Sequence, residues 1–329
     1  MQMTSIAPMP GGDSLQTASR NGHHTHSVYG PSGRSPWLDV DWREHQRWVD
    51  VDGQPINTID LGEGPPIVFV HGLTGSWPNW LEQLPVFSGR SEADGSPIAT
   101  HRVIAMDLPG FGHSPMPRNE ISIPAYARLL DGLLNELQID AATVVGNSMG
   151  GFISAQLAIA FPQRVERLML VSPAGLSTYR DRRETSVLPV LRRLERIIAA
   201  CTTWGAANAD AITSRPGLRR TILRDLVRYP GRLPAPLAAE MVRGAGKPGF
   251  MQALAANFNY DYRDRLPEIV CPTLIVWGER DRIVTVRDAA VYAELIPGSH
   301  KFVFEDTGHL AMIERPEAFN ALLRDFLEE

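Results

Sequence analysis

The chain has 329 residues, of which 43% are hydrophobic and 21% charged, with 32 basic side chains against 37 acidic ones. This composition is typical of an ordinary globular protein of one large or two small domains. No apolar run approaches the length of a membrane-spanning helix, and the first twenty residues lack the basic start and apolar core of a secretory signal, so we expect a cytoplasmic protein. The two cysteines, Cys201 and Cys271, are too few for a disulfide framework and lack metal-ligand spacing.

The first half of the chain begins with a polar segment and continues as short strands. Residues 1–36 are rich in Gly, Ser and Pro and predict a disordered tail. Two strand patterns at 47–52 and 56–61 meet at an Asp-Gly turn, which indicates an antiparallel hairpin. The apolar runs Pro66–Val70 and Arg102–Met106 are typical of strands buried on both faces of a parallel sheet.

The elements that follow alternate between helix and strand. Their predicted bounds are a helix at 123–137, a strand ending at 145, a helix at about 150–161, strands at 168–171, 273–277 and 301–304, and helices near 287–295 and 316–326. This alternation predicts an α/β fold with a mostly parallel sheet and helices on both faces.

One long insertion interrupts the alternation between 171 and 271. Its pattern is helical throughout, and in 187–198 the apolar side chains fall on one face. Helices inserted between two sheet strands are most simply a lid. We therefore predict a helical cap at 176–266 over the carboxyl edge of the sheet, and a core domain formed by 37–175 and 267–329.

The candidate nucleophile is Ser148, in the sequence Gly146-Asn147-Ser148-Met149-Gly150. The Gly-x-Ser-x-Gly pattern between an apolar strand and a helix is typical of a nucleophile elbow. At such a tight turn a side chain two positions before or after the serine would meet the neighbouring helix and strand, so glycine is needed there. The alternative is an ordinary glycine-rich turn of a doubly wound protein.

A serine hydroxyl needs a base to remove its proton, and His309 is the best candidate for that base. It follows the last predicted strand, which places it at the carboxyl edge of the sheet. His101 precedes its strand and belongs to the opposite edge. His113 lies in a Pro-Gly-Phe-Gly turn that we interpret as structural.

The base in turn needs an acid to orient it, and we predict Asp281, which follows the penultimate strand. The order Ser, Asp, His along the chain is that of the elbow-type hydrolytic triad. Glu279, two residues nearer the strand, and Asp264, at the exit from the cap, are weaker candidates.

Two backbone N–H groups are expected to bind the developing oxyanion. Met149 follows the nucleophile at a helix N-terminus, and Leu73 lies in the loop after the strand Pro66–Val70. We assign His71 to the geometry of that loop and Asp107 to a structural carboxylate.

Five motifs occur together and in order: His71-Gly72; Asp107-Leu108-Pro109-Gly110-Phe111-Gly112-His113-Ser114; Gly146-Asn147-Ser148-Met149-Gly150-Gly151; Trp277-Gly278-Glu279-Arg280-Asp281; and Gly308-His309. From about residue 47 onward the chain thus resembles the α/β-hydrolase superfamily. The resemblance implies a Ser148–Asp281–His309 triad, an acyl-enzyme intermediate and no cofactor or metal. Haloalkane dehalogenases and epoxide hydrolases carry aspartate at the elbow, where this chain has serine.

The elbow is also similar to that of the meta-cleavage product hydrolases, which break a carbon–carbon bond in dienoic keto-acids. Their His-Gly-x-Gly-Pro-Gly loop is absent here, and Leu310 stands where they carry Trp. We therefore predict a serine hydrolase of carboxylic esters or related acyl bonds. The alternatives are carbon–carbon bond hydrolysis and a non-catalytic receptor on the same scaffold.

The predicted cap is basic, with sixteen basic and eight acidic side chains between Leu176 and Leu266. An excess of arginine suits an anionic small-molecule substrate or an acyl-lipid. A second hypothesis is that the amphipathic stretch 187–198 docks on a membrane surface. We expect no nucleic-acid partner.

Overall fold

A computed structural model of the protein describes residues 28–90, 100–176, 204–244 and 247–329. The strands in these residues are β1 (Gln46–Val51), β2 (Gln54–Leu61), β3 (Pro66–Val70), β4 (Arg102–Met106), β5 (Ala142–Asn147), β6 (Val165–Val171), β7 (Thr273–Gly278) and β8 (His300–Phe304). They form one sheet in the order β1-β2-β4-β3-β5-β6-β7-β8. β1, β2 and β4 pair antiparallel, and every later pair is parallel. The predicted α/β fold with a mostly parallel sheet is confirmed.

Helices cover both faces of this sheet. Those in the described residues are α1 (Leu84–Phe87), α2 (Ile123–Glu136), α3 (Met149–Ala160), α4 (Ala209–Thr213), α5 (Pro216–Leu223), α6 (Ala235–Gly244), α7 (Phe250–Asn259), α8 (Arg287–Leu295), α9 (Ala311–Glu314) and α10 (Pro316–Glu328). Because side chains alternate along a strand, β3 contributes to two cores. Val68 and Val70 pack with α2, α3 and α8, whereas Ile67 and Phe69 pack with α1 and α10.

The predicted strands and helices agree closely with the structure where the chain is apolar. β3, β4 and α8 have the predicted bounds. β6 begins at Val165, three residues before its predicted start, and α3 begins at Met149 rather than Gly150. No helix in the described ranges is long and apolar enough to cross a bilayer.

The described part of the predicted cap contains α4 to α7 and, within those residues, no strand. Over 237–254, the helical pattern of the insertion is divided between α6 and α7. The amphipathic stretch 187–198 lies outside the described residues.

The N-terminal segment 28–36, which the sequence assigns to the disordered tail, is hydrogen-bonded to the core. The Tyr29 hydroxyl donates a hydrogen bond to Glu314 (2.8 Å). The Ser35 hydroxyl donates one to the buried carboxylate of Glu82 (2.7 Å). The prediction failed for these residues because their partners lie far along the chain, where composition gives no sign of them. Residues 1–27 of the predicted tail lie outside the described residues.

Candidate active site

Ser148 sits at a strained turn between β5 and α3. Its backbone angles are φ 56° and ψ −118°, in the left-handed half of conformational space, which costs a non-glycine residue about 1–3 kcal/mol. Hydrogen bonds hold it there: its N–H donates to Val171 O (2.9 Å), and its carbonyl accepts from Phe152 N (3.1 Å) and Ala174 N (3.0 Å). The turn thus fixes the serine at the carboxyl end of a central strand.

The two glycines of the elbow are required by close contacts. A Cβ atom at Gly146 would collide with Gly150 O and Ser154 Oγ, on the helix that follows. A Cβ atom at Gly150 would collide with the carbonyl oxygens of Val70 and His71, on the neighbouring strand. The steric reason given for the Gly-x-Ser-x-Gly pattern is therefore confirmed.

The loop after β3 lies directly against Ser148. A Cβ atom at Gly72 would come 3.0 Å from Ser148 Cβ. Within the described part of the chain, neither the Leu73 N–H nor the Met149 N–H donates to a protein acceptor. Both N–H groups predicted to bind an oxyanion thus have no protein acceptor within those residues.

His71 and Asp107 hold that loop in place. The His71 Nε2 atom accepts from the Leu108 N–H (3.0 Å), so Nδ1 carries the hydrogen and donates to Gly72 O (2.7 Å). Burial lowers the pKa of His71, which keeps the ring neutral for this role. The buried Asp107 carboxylate accepts from Asn57 Nδ2 (2.7 Å) and from the backbone N–H of Trp77 (2.9 Å). Both residues have the structural roles that the sequence indicated.

His309 and Asp281 form a buried pair. His309 Nδ1 donates to Asp281 Oδ2 over 2.7 Å, and the two side chains are 3% and 0% exposed. The other carboxylate oxygen of Asp281 accepts from the N–H groups of Ile283 (2.8 Å) and Val284 (3.0 Å). With its hydrogen on Nδ1, the His309 ring has a lone pair on Nε2 and can act as a general base.

The alternative acids do not contact His309. Glu279 accepts from the Asp306 N–H (3.1 Å) instead, and Asp264 is exposed. Of the three candidate acids, Asp281 is therefore the one that the structure places against His309.

The serine and histidine loops meet at Asn147, the residue before the nucleophile. Asn147 Nδ2 donates to Val171 O (3.1 Å) and to His309 O (3.4 Å). Among the described residues no hydrogen bond joins Ser148 Oγ to the His309 ring. His309 and Asp281 are thus paired directly, and Ser148 is joined to the His309 loop through its neighbour Asn147, which contacts the His309 carbonyl.

Sequence reasoning missed Glu314, a fully buried carboxylate five residues after His309. It accepts hydrogen bonds from the N–H groups of Gly308 (2.9 Å) and Leu310 (3.2 Å), which flank the histidine. The sequence shows only an acidic residue after the apolar run 310–313, and this pattern is equally typical of an exposed helix end.

A cavity of about 640 Å³ lies elsewhere, between the 116–124 loop and α7. None of the predicted site residues lines it. Among the described residues, no group of three or more His, Cys, Asp or Glu side chains has the arrangement to hold a metal ion.

Comparison with known proteins identifies the family. A family model for the alpha/beta hydrolase fold matches residues 65–316. The chain is 30% identical to a 2-hydroxy-6-oxo-2,4-heptadienoate hydrolase of Pseudomonas putida over 300 residues, covering 85% of this chain and 95% of that protein. It is 31% identical to a 2-hydroxymuconate semialdehyde hydrolase of Pseudomonas putida over 289 residues, covering 84% and 92%.

The solved structure of an N-acyl homoserine lactone degrading enzyme matches with a TM-score of 0.63 and 29% identity, covering 85% of this chain and all (100%) of that one. Family model, relatives and fold agree with the resemblance inferred from the five motifs. The chain belongs to the α/β-hydrolase family and is a hydrolase.

Proposed function

We propose that the protein is a serine hydrolase that cleaves a carboxylic ester or a related acyl bond through Ser148, His309 and Asp281. The observation that carries the proposal is the buried 2.7 Å hydrogen bond between His309 Nδ1 and Asp281. It fixes the tautomer that a general base needs, at the sheet edge where the elbow presents Ser148.

In the proposed reaction, Ser148 Oγ attacks the carbonyl carbon while His309 Nε2 takes the hydroxyl proton. The N–H groups of Leu73 and Met149 donate to the oxyanion, and each such donor contributes about 10²–10³ in rate. Asp281 stabilises the imidazolium, which then protonates the departing alkoxide and leaves Ser148 acylated. Water, deprotonated by His309, attacks the acyl-enzyme, and collapse of the second oxyanion releases the acid and returns the proton to Ser148.

A second candidate is hydrolysis of a carbon–carbon bond in a dienoic keto-acid. It is favoured by the two relatives whose names describe this kind of substrate, a heptadienoate and a muconate semialdehyde. The loop His71-Gly72-Leu73-Thr74-Gly75 and Leu310 differ from the pattern of that subfamily, so we place ester hydrolysis first.

We also propose that the substrate is anionic. The cap region carries twice as many basic as acidic side chains, and the substrates named for both relatives are carboxylates. Some described cap arginines are already paired, such as Arg243 with Asp210 and Arg265 with Glu268. The excess that remains would attract an anionic substrate to the cap.

The test is mass spectrometry after treatment with a fluorophosphonate, on the wild-type protein and on Ser148→Ala. Turnover is then measured on p-nitrophenyl esters of rising chain length, on esters bearing a carboxylate, and on a dienoic keto-acid. We expect labelling at Ser148 only, loss of labelling in the variant, and turnover of esters.

Three results would change the proposal. Labelling with cleavage of the keto-acid alone would establish the second candidate. Equal rates on neutral and carboxylate-bearing esters, insensitive to salt, would exclude the anionic substrate. Absence of labelling at Ser148 would show that the triad is not assembled.

A further inference from the structure

Glu314 ends α9 with a fully buried carboxylate that accepts four hydrogen bonds. Its Oε2 atom accepts from the Gly308 N–H (2.9 Å), the Arg228 N–H (2.8 Å) and the Tyr29 hydroxyl (2.8 Å). Its Oε1 atom accepts from the Leu310 N–H (3.2 Å). One side chain therefore joins the N-terminal segment, the cap and the loop that carries His309.

The contacts of Glu314 bracket His309. Gly308 precedes the histidine and Leu310 follows it, so one carboxylate holds the peptide groups on both sides. The N–H of His309 itself donates to Leu226 O in the cap (2.9 Å). At Gly308 a Cβ atom would lie 2.9 Å from both Arg228 N and Glu314 Oε1, so this packing admits only glycine. The backbone around the histidine is thus held by the Glu314 carboxylate and by Leu226 O.

The N-terminal segment closes this arrangement. The Tyr29 hydroxyl donates to Glu314 and accepts from the Tyr229 N–H in the cap (2.8 Å). The next residue, Gly30, donates its N–H to Glu314 O (2.7 Å), and the guanidinium of Arg315 lies 5.2 Å from the centre of the Tyr29 ring. A single hydroxyl therefore links the N-terminal segment to the cap and to the histidine loop.

We propose that Glu314 is a positioning residue that orients the His309 imidazole toward Ser148, and that the Tyr29 hydroxyl holds the Glu314 carboxylate in place. This inference rests on the proposed function, because it assigns Glu314 a role through the base of that reaction. Four donors meet the carboxylate, and an amide at the same place must turn its NH₂ group toward at least one of them. A small displacement of a catalytic group costs on the order of 10² in rate.

The variant to make is Glu314→Gln, which keeps the volume of the side chain and removes one acceptor. We expect kcat to fall about 10²-fold with KM nearly unchanged, measured well below the melting temperature of each protein. Tyr29→Phe should reduce kcat by a smaller factor, since it removes one donor to Glu314 and leaves the carboxylate in place.

The matched control is Glu317→Gln. Glu317 lies one turn further along, on α10, and accepts from the N–H and the hydroxyl of Ser32 (both 2.7 Å). Glu317 therefore binds the same N-terminal segment without contacting the histidine loop. In Glu317→Gln, kcat should stay at the wild-type value. An equal loss in Glu317→Gln and Glu314→Gln, or an unchanged kcat in Glu314→Gln, would overturn the proposal.

A second measurement needs no substrate. In a Ser148→Ala background, proton NMR observes the His309 Nδ1–H that Asp281 accepts. We expect this downfield signal to be sharp with Glu317→Gln and shifted or broadened with Glu314→Gln. An unchanged signal would overturn the positioning role even if kcat falls. If the wild-type protein hydrolyses nothing, the proposed function fails, and the signal still decides whether Glu314 orients the histidine.

Discussion

Asp281 uses both carboxylate oxygens, one for the His309 ring and one for the N–H groups of Ile283 and Val284. In Asp281→Asn the amide has only one oxygen, so its NH₂ group must face either the ring or those N–H groups. If the amide turns toward the ring, the hydrogen of His309 moves to Nε2 and the base is lost. We predict a fall in kcat of about 10⁴-fold with the fold retained, measured by ester turnover and circular dichroism.

The control for this change is Asp264→Asn, because Asp264 is the exposed carboxylate that sequence reasoning held open as an alternative acid. It should leave turnover unchanged. Comparable losses in the two variants would contradict the assignment of Asp281 as the acid that orients His309.

At the scale of single residues, the sequence predicted what local motifs encode and missed what distant contacts create. Ser148, Asp281 and His309 each follow a strand of a parallel sheet, so their common edge follows from chain order. Glu314 depends on Tyr29 and Arg228, which are 285 and 86 residues away along the chain. No local pattern reports a contact of that separation.

At the scale of elements, uniform burial made strands easy to predict, and mixed burial made their ends difficult. β3 and β4 are apolar almost throughout and were predicted to the residue. β6 begins with Val165, Glu166 and Arg167, of which Glu166 is exposed, so its start resembles a loop. Val165 and Arg167 are strand because β5 supplies pairing partners for them across an irregularity at Glu166, which is a property of the sheet.

One contact between the predicted cap and the core is formed by two glycines whose backbones touch. Gly249, at the start of α7, donates its N–H to Gly110 O (2.9 Å), and a Cβ atom on it would lie 2.9 Å from both Gly110 Cα and Gly110 O. A backbone atom cannot move away from a new Cβ atom as easily as the end of a flexible side chain can. We predict that Gly249→Ala lowers the free energy of unfolding by about 1–3 kcal/mol and raises KM, measured by urea unfolding and ester kinetics.

Gly217 provides the matched control, since it lies in α5 of the same region and a Cβ atom there meets nothing within 4 Å. Gly217→Ala should be neutral or slightly stabilising, because alanine favours helix more than glycine does. If Gly249→Ala behaves in the same way, the glycine contact does not hold the cap.

At the scale of the whole molecule, Asp306 joins the predicted cap to the loop before His309. Its carboxylate accepts from the Tyr229 hydroxyl (2.6 Å) and from Arg228 Nε (2.8 Å), and these two bonds hold the pKa of Asp306 below its usual value. A lowered pKa means that the stabilisation is present at neutral pH and is lost as the pH falls through that lowered value.

We therefore predict that Asp306→Asn is less stable than wild type at pH 7 and that the difference shrinks as the pH approaches the lowered pKa. The side chain is 44% exposed, so the difference at pH 7 should be below about 1 kcal/mol. Urea unfolding of both proteins across that range provides the measurement. A difference that does not change with pH would show that the carboxylate charge is not what joins the two parts.

The insertion between β6 and β7 also separates the residues of the proposed triad in the order of synthesis. β6 ends at Val171 and β7 begins at Thr273, so the ribosome delivers Ser148 long before Asp281 and His309. At about 5–20 residues per second, the nascent chain carries the proposed nucleophile without the proposed base for on the order of ten seconds. If the three residues act together as proposed, the growing polypeptide cannot hydrolyse an ester until His309, which follows β8, has been synthesised.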